Sequence, residues 1–184
     1  MLRLLMGIDQ NMVLWIQNNI RNDFLNPVII WITRLGDGGR IWIIISLILI
    51  VIKKTRKTGF LMLIALGLSY MINNLILKNL IARARPYETI EGLSSLIGIQ
   101  SDFSFPSGHT GSSFAGAGVL LCSPYKKWCI FAMILAVLIG FSRLYVGVHY
   151  PTDVLCGAMS GMGIAFFTWM IGSVLIHSWY YFPF

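Results

Sequence analysis

The chain is short of charge, shorter still of acid, and poor in cysteine. Only 11% of its 184 residues are Asp, Glu, Lys or Arg, against 57% hydrophobic residues. A soluble domain carries about 25% charged residues, so the deficit excludes a large soluble core and points to one integral membrane domain. Seven acids stand against fourteen Lys and Arg, a formal charge of +7. These cations gather in the loop Lys53–Lys57 and beside helix ends. They do not build the basic face on a soluble fold that nucleic-acid binding needs, and no nucleic acid is expected as a partner. The three cysteines, Cys122, Cys129 and Cys156, form no CxxC and lie in or beside apolar runs. They read as buried free thiols, and neither a metal nor a cofactor is expected. The apolar stretch before Asp9 is about five residues, below the roughly 7–15 of a signal-peptide core.

What the chain has in quantity is apolar helix. Residues 8–22 place Met12, Val13, Ile16 and Ile20 at helical spacing among Asn, Gln and Arg, the pattern of an interfacial helix. Asn26-Pro27 predicts an N-cap with proline behind it, opening a short helix over 27–35 that stops at Gly36-Asp37-Gly38-Gly39. Crossing a bilayer takes about 20 residues, with a range of about 17–25. Five segments approach this: 39–54, 59–77, 107–125, 128–141 with an extension toward 148, and 154–176. The expected fold is all-α: a membrane helical bundle of about five transmembrane helices plus the N-terminal interfacial helix. Residues 1–38 form the N-terminal segment and 39–184 the transmembrane domain.

Loop charge orients the bundle. Lys53–Lys57 joins the first and second spans, and Lys126-Lys127 joins the third and fourth, with no acid in either loop. Both belong on the cytoplasmic side. The other side then receives Lys78, Arg83, Arg85, His109, Arg143, His149 and Asp153, and all seven acids. Small residues recur, as in Gly157-x-x-x-Gly161, and serve either packing within one bundle or a dimer seam. The oligomeric state is not readable. His177 and the C-terminal His-Ser-Trp-Tyr-Tyr-Phe-Pro-Phe read as interfacial residues and an aromatic belt.

Three polar patches meet on that side. In the first, Lys78 and Arg85 are seven apart and share a face if the helix runs on to Ala84. A lysine point charge and an arginine fork suit a phosphate, although basic residues also anchor helix ends. In the second, Pro106-Ser107-Gly108-His109, Ser107 can cap the following helix and leave first-turn N–H groups of Gly108 and His109 to an anion. Glycine removes bulk there, and His109 stands at the helix mouth; a capped helix with an interfacial histidine is the plainer alternative. In the third, His149 and Asp153 are four apart. One helical turn lets the carboxylate accept an imidazole N–H, fixing the tautomer and sharpening the other nitrogen as a nucleophile. A structural His–Asp pair would look the same. Arg143 is six before His149 and needs a turn near Gly147 and Pro151 to join it.

Their convergence decides between these readings. Ionisable residues at membrane depth are costly and mostly functional. Three cations and helix-end amides describe a phosphate cradle; two histidines and an aspartate describe a nucleophile, its orienting partner and an acid. The set reads as phosphoryl transfer through a phosphohistidine.

Lys78-x6-Arg85-Pro86, Pro106-Ser107-Gly108-His109 and Ser142-Arg143-x5-His149-x3-Asp153 resemble the KxxxxxxRP, PSGH and SRxxxxxHxxxD blocks of the type 2 phosphatidic acid phosphatase family. That family's core is similar to vanadium haloperoxidases. The resemblance spans roughly residues 78–153. It implies that Lys78, Arg85 and Arg143 hold the phosphate with Ser107 and the Gly108 amide. It further implies that His149 attacks phosphorus, that Asp153 orients it, and that His109 protonates the leaving oxygen, without a metal. Many members have six membrane helices, and here an interfacial helix and a short helix stand in place of the first. The expected activity is a plasma-membrane lipid phosphatase with an extracytoplasmic site, acting on a lipid phosphate among membrane lipids. The favoured substrate is undecaprenyl diphosphate. Phosphatidylglycerophosphate or phosphatidate comes next, with lipid A and sugar phosphates further off. A noncatalytic lipid-phosphate carrier is the alternative of another class. In the loop 86–105, Glu88, Glu91 and Asp102 are expected either to disfavour highly anionic headgroups or simply to be solvated.

Overall fold

The computed structural model describes the backbone of residues 2–179 and the side chains of residues 6–175. The His177 and C-terminal aromatic readings lie outside the described side chains. All described regular structure is helical: α1 (Leu2–Asn19), α2 (Leu25–Leu35), α3 (Arg40–Val51), α4 (Arg56–Ser69), α5 (Lys78–Ile81), α6 (Pro86–Thr89), α7 (Gly108–Cys122), α8 (Lys126–Tyr145) and α9 (Pro151–Trp179). A wide π-type stretch, Tyr70–Leu77, joins α4 to α5. Among the described residues, three stretches are long and apolar enough to cross a membrane: Arg56–Thr89, Lys126–Tyr145 and Pro151–Leu175. The runs expected at 39–54 and 107–125 yield shorter helices, of 12 and 15 residues.

Helix α7 is the central post, with α4, α8 and α9 packed on it. Its sequence explains this. Thr110, Gly111, Ser113, Ala115, Gly116 and Ala117 are buried, and small residues let backbones approach where lipid offers no hydrophobic drive between helices. A Cβ on Gly116 would come within 2.6 Å of the Trp42 ring, whose Nε1 donates to Ser113 Oγ at 2.9 Å. Gly157 meets Ser107 O, and Gly161 meets the backbone of Gly111 and Ala115, so the Gly-x-x-x-Gly step serves packing inside the bundle. The exterior is apolar, with Ile48, Ile64, Phe131, Phe166 and Phe167 among the exposed side chains. The three cysteines are free and half-buried, less enclosed than expected.

Two local expectations change. Helix α2 begins at Leu25, with Phe24 rather than Asn26 at the cap. The Asn22 side-chain oxygen accepts the Leu25 N–H at 2.9 Å, which leaves Pro27 in the first turn, where a missing N–H costs nothing. The helix carrying Lys78 stops at Ile81, where Ala82 turns left-handed at φ 47°. Lys78 and Arg85 therefore do not share a helical face.

The two ends of the bundle differ. At one, the loops bearing Lys53–Lys57 and Lys126-Lys127 touch, as Tyr125 Oη donates to Lys54 O. At the other, α1 lies across the chain ends of the bundle. Val13 packs with Ile90, Leu93 and Tyr150, and Ile16 with Tyr145, Val146 and Val148.

Candidate active site

The polar end holds a cavity of about 470 Å³ lined by Lys78, Arg85, Gly108, His109, Arg143 and His149, together with Asn74 and Asp102. Ser107 and Asp153, also expected at the site, stand behind this lining. Ser107 caps α7: its Oγ accepts from Thr110 Oγ1 at 2.9 Å, and its N–H donates to Asp153 O at 3.0 Å. Gly108 gives the Asn74 amide room to pack against it, since a Cβ there would meet that amide unless it moved. Asn74 comes from the π-type stretch, a distortion that recurs at functional sites.

His149 is buried in the loop between α8 and α9, after a turn at Gly147 with φ 78°. It precedes α9, so it does not share a helical turn with Asp153. The carboxylate reaches it from the first turn of α9, with Oδ2 3.5 Å from Nδ1. Burial, seconded by Arg85 and Arg143, pushes His149 down to about 3, although Asp153 works the other way. The imidazole is therefore a neutral base near neutrality. Asp153 is fixed on every side. Ser104 Oγ donates to its Oδ2, the Tyr150 N–H donates to the same oxygen at 2.9 Å, and Arg83 Nη1 donates to Oδ1 at 2.6 Å.

The cations come from three places. Lys78 Nζ and Arg85 Nη2 both hold the Asp102 carboxylate, and Arg85 also donates to Asp102 O and Val148 O. These carbonyls bring the chain reversal after Ala82 back onto the site. Burial pushes Asp102 up, but Lys78 and Arg85 outweigh it and hold it at about 2. Asp102 is thus a half-exposed carboxylate, ion-paired on the cradle while still open to solvent. Arg143 is buried, with Nη1 donating to Thr33 Oγ1 at 2.7 Å, and its Nε has no partner among the described residues. A buried guanidinium N–H without an acceptor is costly, and an anion in the cavity would satisfy it.

Several residues at this site went unassigned in the sequence. Arg83 bridges Asp153 to Asp9 on α1, 2.7 Å from Asp9 Oδ2, and lies over the Tyr150 ring at 3.8 Å. Asp9, Val13 and Ile16 are all buried at helical spacing, so an acid inside the apolar stripe of α1 was the available signal. Ser104 carried none. Asp37, in the turn between α2 and α3, bonds His109 Nε2 at 2.9 Å, and that bond, opposed by partial burial, keeps Asp37 below the usual carboxylate range.

Such a fold and such a cluster define a helical membrane phosphatase. A family model of the PAP2 superfamily matches residues 58–176, and the chain belongs to that superfamily. It is 33% identical over 149 residues to an undecaprenyl-diphosphatase of Sulfolobus acidocaldarius, covering 81% of this chain and 71% of the relative. The solved first transmembrane PAP2 type phosphatidylglycerolphosphate phosphatase from Bacillus subtilis matches with a TM-score of 0.74 at 31% identity, over 90% of this chain and 84% of that one. The first bacterial vanadium-dependent iodoperoxidase shares the fold, with a TM-score of 0.69 at 18% identity over 87% of this chain and 48% of that one. The protein is a phosphatase of this superfamily, located in the membrane.

Proposed function

We propose that the protein removes a phosphoryl group from undecaprenyl diphosphate or a similar isoprenyl diphosphate, leaving the lipid monophosphate. The observation that carries this reading is the cavity itself, where His149 and the cations Lys78, Arg85 and Arg143 surround one space and Arg143 Nε lacks an acceptor. The phosphoryl group binds these cations with the Gly108 amide of the helix mouth that Ser107 caps. It displaces Asp102 from the cradle, since it offers more charge and more acceptors than one carboxylate.

His149 Nε2 attacks phosphorus while Asp153 orients the ring through Nδ1. The P–O bond from the terminal phosphorus to the bridging oxygen breaks, and that oxygen, leaving on the lipid monophosphate, takes a proton from His109. Water then attacks the phosphohistidine and gives its proton to His109. The P–N bond breaks, and inorganic phosphate leaves. No metal enters either half. The tail lies along Ile43 on α3, Leu63 and Leu66 on α4, and Tyr70 at the start of the π-type stretch, which line the same cavity, and reaches the site sideways from the bilayer. In this reading five helices cross the membrane, namely α3, α4 with its continuation, α7, α8 and α9. Residues 1–38 form an interfacial segment ahead of the domain 39–184. The site faces the extracytoplasmic side, opposite the basic loops.

A second reading, a glycerophospholipid phosphate as substrate, is favoured by the likeness to the Bacillus subtilis phosphatase. Phosphate release by the purified protein separates the two. Undecaprenyl diphosphate, farnesyl diphosphate, phosphatidylglycerophosphate and phosphatidate are compared with and without EDTA. The expected result is the highest kcat/KM on an isoprenyl diphosphate and no effect of EDTA. A large preference for a glycerolipid overturns the substrate, and abolition by EDTA overturns the mechanism.

A further inference from the structure

The three motif blocks supply His109 but nothing to hold it. The structure supplies a partner from outside them. Asp37 Oδ1 lies 2.9 Å from His109 Nε2. The turn that carries Asp37 is moulded on the imidazole. Gly38 and Gly39 are both left-handed, at φ 58° and 69°, which folds the chain between α2 and α3 back over the mouth of α7. Gly36 packs so closely that a Cβ there would lie 2.8 Å from His109 Cδ2. Arg143 and Lys78 line the same cavity as His109. Among the described residues, Asp37 is the carboxylate in bonding contact with His109.

We propose that Asp37 is the positioning residue of His109, forming a second histidine–aspartate pair that serves the proton donor as Asp153 serves the nucleophile. The inference rests on the reading of His109 as the acid. An imidazolium has two N–H groups. Asp37 accepts the one on Nε2, and the one on Nδ1 passes to the leaving oxygen as the P–O bond breaks. The neutral ring keeps its Nε2 proton because Asp37 holds it there. The Nδ1 lone pair is then free to take the proton of the attacking water, which restores the imidazolium. Asp37 holds the tautomer throughout and takes no proton itself.

The test compares two monoesters that share the phosphoryl group and differ in the leaving oxygen. p-Nitrophenyl phosphate releases a phenolate that needs little protonation, whereas dioctanoyl phosphatidate releases an alkoxide that needs a proton. In the purified full chain, Asp37→Ala is expected to lower kcat on the phosphatidate about 30-fold or more, within the range of lost general-acid catalysis. On p-nitrophenyl phosphate the loss should stay below about threefold. The ratio of the two rates in one preparation cancels any loss of folded protein. Asp37→Glu should restore most of the phosphatidate rate, and Asp37→Ala added to His109→Ala should cost nothing further, the signature of two residues acting as one unit. Equal loss on both esters, or full additivity with His109→Ala, overturns the proposal. If His109→Ala itself slows both esters alike, the acid role fails and takes the proposal with it. If His109→Ala discriminates and Asp37→Ala does not, the acid role stands and only the Asp37 proposal falls.

Discussion

The cavity is served by two histidine–aspartate pairs built on different plans. His149 and Asp153 are four residues apart, and their side chains are 1% and 0% exposed. The carboxylate is pinned by Ser104, Tyr150 and Arg83 as well. His109 and Asp37 are 72 residues apart, their side chains 21% and 40% exposed. The first arrangement suits a nucleophile, whose line of attack tolerates little error. The second suits a group that must exchange protons with a leaving oxygen and then with water. Buried support fixes position, and partial exposure permits turnover of the proton.

Substitutions can break this contrast at either pair. The largest effect is expected for His149→Ala, which removes the nitrogen proposed to attack phosphorus. Hydrolysis of every phosphate ester should fall about 10⁴-fold or more, whatever the leaving group, as followed by phosphate release. Arg83→Ala comes next, because Arg83 ties Asp153 to Asp9 without lining the cavity. Arg83 is itself partly exposed, but its loss leaves the buried Asp153 and Asp9 carboxylates short of a charged donor, at a cost of about 1–3 kcal/mol. The expected result is a clear drop in Tm and a loss of about 10–100-fold in kcat, equal for good and poor leaving groups. A loss that depends on the leaving group would move Arg83 to the other pair.

The smallest perturbation is pH. Because His149 is held at about 3, below the ordinary histidine value, it stays neutral as pH falls to about 5, where an exposed histidine is mostly charged. An unfolded chain takes up that proton first, so folding loses stability as pH drops below about 6.5 toward the native value. Histidine NMR of selectively labelled protein, assigned with His149→Gln, should show a neutral ring at about pH 5. A charged ring there would mean a site far more open than the cavity described.

The contrast also marks what the sequence disclosed. Of the residues the three blocks single out, Lys78, Arg85, Gly108, His109, Arg143 and His149 line one cavity, the convergence the polar patches led one to expect. The route differed. Lys78 and Arg85 meet through a left-handed turn at Ala82 and shared contacts with Asp102, which helical spacing does not encode. Helix periodicity found the long spans but overstated α3 and α7, since apolar composition says nothing about where a chain turns. Of the supports, Asp9 and Asp37 reach the site from distant segments, while Arg83 and Ser104 lie in or beside the blocks at positions whose spacing assigns them no role. Only tertiary packing brings them in, and their local surroundings read as ordinary interface or loop.

The central claim is that phosphate passes through His149. Rapid quenching of a single turnover with substrate labelled in its terminal phosphate, followed by peptide mapping, tests it directly. The account predicts acid-labile, base-stable phosphate on the peptide that carries His149, formed and lost within the turnover and absent from His149→Ala. Label on any other residue, or full turnover with no protein-bound phosphate under conditions that slow the water step, would contradict it.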